Sequence, residues 1–340
     1  MLTIFSCPKL SRGHTDIIQR NAIKSWTLLC PKPEILLIGN DEGVEKLCQE
    51  FGIKHIPEVK CNEYGTPLLN SIFDQAQLYA SHNIVCYINT DIILLGNLLQ
   101  VIKNIEGYAK GQKYLVSGRR WCLELKKTWD FNSFDWQAQL KRYILKNGML
   151  DSYGAMDYFI FPKGLLVNIP SFAIGRCRWD NWLLYKTRKL KALLVDASNE
   201  IMAIHQNHDY SHTPYNKKTL ILIINGPEVE RNIALCKGLS QYTLLDATHI
   251  ITKYGLERVR LKRLLQNYAL KYTWYLMAEV FYPYSLPFFY AIKYSKLAAF
   301  RIGGVLAFLN FPRRYNNKSY NHCLKDLKPE TVLRKIKLPN

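Results

Sequence analysis

Short apolar runs alternate, in the first part of the chain, with segments whose apolar residues recur every three or four positions. Runs of four or five apolar residues are typical of buried strands, and the spaced segments are typical of helices that bury one face. Such spacing begins at Val44 and ends at Phe51, which predicts a helix there. The strands predicted in this part are Leu2–Phe5, Glu34–Ile38, Ile84–Ile88 and Tyr114–Ser117.

Two further helices are predicted from the residues at their start. Thr15 is a candidate N-cap in front of an apolar stripe that includes Trp26, and Thr66 followed by Pro67 is typical of a cap and a first helical position. Strands that alternate with helices in this way favour an α/β fold, with a mostly parallel sheet covered by helices.

The chain divides into three parts by composition, with bounds 1–118, 119–213 and 214–340. The second part is rich in tryptophan, arginine and aspartate, and it contains predicted strands at Tyr158–Phe161 and Leu193–Ala197 and a predicted helix at Asp180–Arg188. The third part is predicted to be mainly helical, with one strand at Leu220–Ile224 and a basic amphipathic helix at Leu256–Leu276. No apolar run in it reaches the roughly 20 residues of a membrane-spanning helix.

Composition narrows the class of protein. The chain of 340 residues is 48% hydrophobic and 21% charged, which is a globular balance. Its net charge of +19 indicates an anionic partner, such as nucleotide phosphates, an acidic membrane face or nucleic acid. The nine cysteines form no C-x-x-C pair and the first residues do not resemble a signal peptide, so we expect a reducing, cytoplasmic location.

Four motifs follow one another in a specific order over about the first 210 residues. They are N-T-D at Asn89–Asp91, G-A-M-D-Y-F-I-F at Gly154–Phe161, G-R-C-R-W-D-N-W-L-L-Y-K-T-R at Gly175–Arg188 and I-H-Q-N-H-D-Y-S-H at Ile204–His212. This order resembles that of the GT-A fold glycosyltransferases, which use nucleotide-diphospho-sugars. The chain differs at Asn89, where the family usually has Asp, and at Trp179, where it often has Glu.

The resemblance implies a GT-A-like catalytic domain over residues 1–213, with a nucleotide-binding half at 1–118 and an acceptor half at 119–213. It also implies a nucleotide-diphospho-sugar donor and a divalent cation, Mn²⁺ or Mg²⁺. Such a cation stabilises the charge that develops on a leaving nucleoside diphosphate. Residues 214–340 lie outside the resemblance.

Asp91 is the first candidate metal ligand, because it follows a fully apolar strand at the sheet edge where ligands bind. These cations prefer oxygen ligands, and Mn²⁺ also accepts imidazole. His205 or His208 would complete the site, with His212 in the same cluster, and Asn89 would contact the ribose or a metal-bound water. The alternative is that Asp91 only caps a turn, which the buried strand before it disfavours.

Asp180 is the first candidate for the general base that takes the proton of the acceptor hydroxyl. It opens a predicted helix, whose N-terminal amides can hold the carboxylate in one direction. A simple helix cap explains the residue equally well, and Asp157, in front of an aromatic strand, is the rival base.

Other polar residues at strand ends are candidates for binding the donor. Ser6 and Pro8 follow the first strand, and Asp41 follows the second, where it is placed to meet the base or the ribose. Arg119 and Arg120, or the arginines of the R-C-R-W-D segment, are candidates for the diphosphate. The alternative for Asp41 is an ordinary loop aspartate, and the alternative for the arginines is a solvated basic surface.

These observations together predict a metal-dependent, inverting glycosyltransferase that acts on a glycan or lipid-linked acceptor. A nucleotidyltransferase of similar fold is the alternative enzyme, but its Gly-rich phosphate loop is represented after the first strand only by Gly13. A nucleic-acid-binding protein would explain the charge but not the apolar strands that end in acidic residues, so no specific nucleic acid is expected. A non-catalytic protein of an anionic membrane is the remaining alternative.

The third part of the chain has two interpretations. It combines cations with a stretch dense in tyrosine and phenylalanine, which is typical of an interfacial membrane contact at the inner membrane face. The alternative is a helical flank that completes the core, with its cations in solvent.

If the third part binds a membrane, replacing Arg258, Arg260, Lys262 and Arg263 with glutamine should release the protein from anionic vesicles. Each cation near an anionic leaflet contributes about 1 kcal/mol, so the four together should change partitioning by orders of magnitude. Co-sedimentation with vesicles measures the effect, which should weaken as salt rises. A full-length chain that ignores anionic vesicles at low salt would contradict the membrane interpretation.

Overall fold

The computed structural model describes residues 1–96, 98–208, 226–237 and 242–259, and within them the chain has a mixed α/β fold. The strands are β1 Leu2–Ser6, β2 Glu34–Ile38, β3 Lys54–Ile56, β4 Ile84–Ile88, β5 Ile92–Gly96, β6 Tyr114–Ser117, β7 Arg120–Leu123, β8 Met149–Leu150, β9 Tyr158–Pro162, β10 Leu193–Asp196, β11 Ile201–Gln206, β12 His249–Thr252 and β13 Gly255–Arg258. The α-helices are α1 His14–Thr27, α2 Val44–Phe51, α3 Leu69–Tyr79, α4 Leu98–Ala109, α5 Trp136–Asn147, α6 Trp179–Lys189 and α7 Pro227–Cys236.

A nine-stranded sheet forms the centre of the fold, in the order β13-β12-β10-β6-β9-β4-β1-β2-β3. Neighbouring strands are parallel except at β9, which runs antiparallel to β4 and β6, and at β13, which runs antiparallel to β12. The predicted mostly parallel sheet with flanking helices is thereby confirmed. Strands β2 and β3 lie on one side of β1. Strand β4 lies on the other side, so the strand order reverses between β1 and β4.

Alternate residues of the central strands face two different apolar layers. Ile4 packs in one buried cluster with Trp26 of α1, whereas Phe5 packs in another with Phe73 of α3. The rings of Phe73 and Phe161 stack with centroids 5.7 Å apart. Both faces of these strands are therefore covered, which is why their sequences are apolar throughout rather than alternating.

A smaller sheet, in the order β5-β11-β7-β8, was not predicted. Its strand β5 begins immediately after Asp91 and pairs antiparallel with β11, which brings His205 opposite Ile92. The indole N–H of Trp26 donates to the carbonyl of Ile92 at 2.9 Å and fixes helix α1 against this strand. The smaller sheet thus places the end of β11 beside the end of β4.

Three predicted element boundaries are wrong. Helix α1 begins at His14 with Gly13 at its N-cap, so Thr15 lies inside the helix rather than at its cap. Helix α3 begins at Leu69, because the chain at Thr66 and Pro67 still runs in a loop with bridge pairing. At Gly255–Arg258 the chain forms strand β13 against β12 rather than the start of a helix.

Most of the predictions for the C-terminal part of the chain concern residues outside the described ranges. The predicted strand at Leu220–Ile224 and everything from residue 260 lie outside the described residues. The boundary between residues 213 and 214 also lies outside them and stays a prediction, although β12 extends the same sheet as β1.

In the part of the chain that the structure describes, no helix has the length and apolar composition needed to cross a membrane.

Candidate active site

A cavity of about 540 Å³ opens at the carboxyl ends of β1 and β4, where the strand order reverses. Ligands of open α/β sheets bind at such a switch point, and the volume is in the usual range of small-molecule sites. The residues that line it are Cys7, Pro8, Lys9, Leu10, Arg12, Thr15, Ile18, Gln19, Asp41, Tyr64, Gly65, Thr66, Pro67, Tyr87, Asn89, Thr90, Asp91, Ile174, Gly175, Arg176 and His208.

Asp91 and His208 line this cavity and meet His205, which lies behind them and outside the lining. Their candidate ligand atoms all lie within 4.8 Å of one another. Oδ2 of Asp91 is 3.1 Å from Nε2 of His208 and 3.6 Å from Nε2 of His205. One carboxylate and two imidazoles form a donor set that suits Mn²⁺. His212, the third histidine of the motif, lies outside the described residues.

The protonation states of this cluster favour a cation. Burial alone would raise the pKa of Asp91, but His205 and His208 lower it below its usual range, so the carboxylate is ionised. Burial also lowers the pKa of His205, although the charge of Asp91 opposes this shift, and the neutral imidazole is the form that ligates a metal. Oδ1 of Asp91 and Nδ1 of His205 are buried without a hydrogen-bond partner, so this polar cluster is incompletely satisfied by the described protein atoms.

Gln206 connects the cluster to helix α1. Its backbone N–H and its Nε2 both donate to the carbonyl of Asp91 at 3.1 Å, and Nε2 also donates to the carbonyl of Ile18 at 2.9 Å. Its Oε1 accepts from Nδ2 of Asn21 at 2.9 Å. Gln206 and Asn21 are fully buried, so the positions of β11 and Asp91 are fixed relative to each other.

Asn89 and Asp157 are joined by a hydrogen bond. Nδ2 of Asn89 donates to Oδ1 of Asp157 at 2.8 Å, while the hydroxyl of Tyr87 donates to Oδ1 of Asn89 at 2.7 Å. The other oxygen of Asp157 accepts from Arg120 at 3.0 Å, and Asp151 holds the same guanidinium. Asp157 is therefore a buried structural partner, and Arg120 is occupied by two carboxylates.

Asp180 lies in the first turn of α6, as predicted, with the amide of Asn181 donating to its Oδ1 at 2.9 Å. Burial, together with the nearby charge of Asp157, raises the pKa of this carboxyl to about 6, although its backbone hydrogen bonds oppose the shift. The group is a carboxylate at neutral pH but takes up a proton easily. A base with these properties suits an acceptor hydroxyl.

Of the other residues predicted to bind the sugar donor, some line the cavity and some do not. Pro8 and Asp41 line the cavity. Ser6 is fully buried and donates its hydroxyl to the carbonyl of Ile88, so it links β1 to β4 rather than facing a ligand. Arg119 donates to the carbonyl of Asp151 at 2.7 Å, and neither it nor Arg120 lines the cavity.

Sequence reasoning missed Lys9, which lines the cavity, and the ion pair of Arg176 with Glu228. Arg176 donates through Nε to Oε2 of Glu228 at 2.9 Å and through Nη2 to the same oxygen. Glu228 also accepts from Asn62 at 2.7 Å, so α7 holds two segments that line the cavity. No local pattern signals this pair, since its members are 52 positions apart.

No protein-family model and no curated protein matches the sequence. Among solved structures, the chain is similar to M. tuberculosis glucosyl-3-phosphoglycerate synthase, with 14% identity, a TM-score of 0.43 and coverage of 76% of this chain and 87% of that chain. It is similar to S. aureus TarS, with 10% identity, a TM-score of 0.41 and coverage of 60% of each chain. It is similar to a mannosyltransferase from Pyrobaculum calidifontis in complex with GDP-Man and Mn²⁺, with 11% identity, a TM-score of 0.39 and coverage of 62% of this chain and 57% of that chain. These likenesses concern the fold, and the function of this chain is argued below from its own residues.

Replacing Gln206 with leucine should weaken Mn²⁺ binding by about 10- to 100-fold, the usual effect of losing an outer partner of a metal ligand. The variant loses the side-chain bond to the carbonyl of Asp91 but keeps the backbone bond. Electron paramagnetic resonance of free Mn²⁺ measures the affinity, and circular dichroism checks the fold. The exposed Gln139→Leu is the matched control, and an unchanged affinity in a folded Gln206→Leu would contradict the positioning role.

Proposed function

We propose that this chain is a metal-dependent glycosyltransferase that moves a sugar from a nucleotide-diphospho-sugar to a glycan or lipid-linked acceptor. The observation that carries the proposal is the cluster of Asp91, His205 and His208 at the edge of a cavity at the strand-order switch point. Such a cavity is the expected place for a nucleotide in an open α/β sheet.

The cluster fits a divalent cation, because its carboxylate is ionised, burial favours the neutral form of His205, and two of its buried polar atoms have no hydrogen-bond partner among the described residues. A bound Mn²⁺ or Mg²⁺ would act as a Lewis acid on the diphosphate. Asp91 and the two histidines would hold the ion. Gln206 keeps the backbone of Asp91 in place.

Asp180 is proposed as the general base, and the reaction is proposed to invert the configuration at the sugar. The raised pKa of Asp180 and its fixed direction at the start of α6 support this role. Each oxygen of Asp157, the rival base, already accepts a hydrogen bond from a side chain, from Asn89 on one and Arg120 on the other, which supports a structural role for this residue.

Donor hydrolysis tests the proposed function. We expect release of a nucleoside diphosphate from one of UDP-, GDP-, ADP- or dTDP-sugars, dependent on Mn²⁺ or Mg²⁺ and abolished in Asp91→Ala. The carboxylate is the only anionic member of the cluster, so its loss should remove most of the attraction for a cation. Chromatography of the nucleotide products measures the reaction.

The control for this experiment is Asp135→Ala, since Asp135 is an exposed aspartate in front of α5. Full hydrolysis by Asp91→Ala would overturn the metal assignment. Release of pyrophosphate from nucleoside triphosphates and a sugar phosphate would identify a nucleotidyltransferase instead. Binding to random DNA but not to any nucleotide sugar would favour a nucleic-acid-binding protein, and its steep salt dependence would reveal it.

Asp180→Asn should lower kcat by about 100-fold or more, because the amide keeps the shape but cannot accept a proton. In the wild type, kcat should rise with pH to a plateau, with a midpoint near the pKa of about 6. The variant should lack this dependence and bind the donor as before. An active Asp180→Asn beside an inactive Asp157→Asn would exchange the two roles.

The same substitution should stabilise the fold above pH 6. The pKa of Asp180 is higher in the folded chain than in the unfolded chain, so the wild type loses stability as pH rises from about 4 through about 6. After allowance for solvent screening the loss is on the order of 1–2 kcal/mol. Urea unfolding at pH 5 and pH 8 separates this effect from a general loss of structure.

A further inference from the structure

Three lysine or arginine side chains from the described residues line the cavity: Lys9, Arg12 and Arg176. They differ in how much of their charge is available to a ligand. Arg12 is exposed to solvent. Arg176 is largely buried and paired with the buried Glu228, so its charge is compensated by the protein.

Lys9 is held in place through its backbone. Its N–H donates to Oε1 of Gln19 at 2.8 Å, and Nε2 of Gln19 donates back to its carbonyl at 3.0 Å. Gln19 belongs to α1 and is almost fully buried. The segment after β1 is therefore fixed where Lys9 enters the cavity, even though the side chain itself is long.

The ammonium group of Lys9 is partly removed from water and has no close partner among the described residues. Burial lowers its pKa, although the nearby Asp91 and Asp157 favour the charged form. Within the described residues, no hydrogen bond or ion pair joins this ammonium to a carboxylate. An unpaired cation that lines the cavity is available to an anion, and an anionic ligand bound there would pair with it.

We propose that Lys9 binds the diphosphate of the donor and stabilises the charge on the leaving group, which makes the site selective for nucleoside diphosphates. The proposal rests on the glycosyltransferase function proposed above. It assigns diphosphate binding to Lys9, which follows β1 and lines the cavity, rather than to Arg119 or Arg120, which do not line it.

The step is balanced without a proton from Lys9. The bond between the sugar C1 and the phosphate oxygen breaks with its electron pair remaining on the oxygen, which gains one negative charge. The acceptor oxygen bonds to C1 and gives its proton to Asp180. Lys9 donates a charge-assisted hydrogen bond to the diphosphate and keeps its own proton.

Binding measurements with nucleotides test the proposal. UDP, GDP, ADP and dTDP are titrated by calorimetry, and the nucleotide that binds is then titrated as its diphosphate and as its nucleoside. Lys9→Gln should weaken diphosphate binding by about 10-fold or more and leave nucleoside binding unchanged, because it removes one charge-assisted hydrogen bond. Lys9→Arg, which keeps the charge, should recover most of the loss.

The affinity for Mn²⁺ in the absence of nucleotide should increase in Lys9→Gln. Lys9 repels a cation bound at Asp91, so Lys9→Gln should bind Mn²⁺ more tightly, by about two- to fivefold. A variant with a damaged cavity would instead bind both Mn²⁺ and the diphosphate more weakly. Lys46→Gln, which removes an exposed charge from α2, controls for the change in net charge.

The outcomes separate the two proposals. Unchanged diphosphate affinity in Lys9→Gln, or equal losses of Mn²⁺ and diphosphate, would overturn the role of Lys9 and leave the glycosyltransferase proposal intact. A wild-type protein that binds none of the four diphosphates with Mn²⁺ would overturn both.

Discussion

The carboxylate of Asp91 is buried at the end of a central strand, and an ionised group in such a place requires compensation. The neighbouring elements supply part of it. Strand β11 brings one imidazole beside the carboxylate and the residues after it bring another. In the smaller sheet, β11 pairs with β5, and β5 begins at the residue that follows Asp91. The two sheets therefore meet beside this charge.

The same need for compensation explains the other ion pairs around the cavity and behind it. Arg120 sits between Asp151 and Asp157, and Arg176 sits against Glu228, so buried carboxylates are paired with guanidinium groups. The ammonium of Lys9 and the carboxylate of Asp180 are less fully compensated. Lys9 lines the cavity and Asp180 lies outside its lining. Groups that are incompletely compensated reduce stability, and they are the groups that a substrate can use.

The sequence predicts the elements whose burial is complete. Strands β2, β4 and β6 and helix α2 have the predicted bounds, because a fully buried strand is an unbroken apolar run and α2 buries one regular stripe. The smaller sheet was missed, since β5 continues the apolar run after Asp91 and β8 has only two residues. Strand β13 was predicted as helix because its basic residues have no periodicity that distinguishes the two structures.

The candidate site was predicted where the signal is local and missed where it is not. Asp91, His205 and His208 were predicted to form one site because an acidic residue after a buried strand and a histidine cluster are both visible in the sequence. The structure brings their candidate ligand atoms within 4.8 Å of one another, and their role as metal ligands stays a proposal. Gln206 and Lys9 depend on partners in α1, which only the folded chain brings near. Ser6 was assigned to the cavity by its place after a strand, whereas its hydroxyl faces β4.

The hydrogen bond between Asn89 and Asp157 gives a reason for the departure from the D-x-D pattern of the glycosyltransferases that the chain resembles. An aspartate at position 89 would place two carboxylates 2.8 Å apart in a largely buried setting. Two such groups cannot both ionise, so they would share a proton, as the dyad of an aspartic protease does. The second acidic residue would then add no charge for a cation, and the amide at Asn89 leaves Asp157 free to remain paired with Arg120.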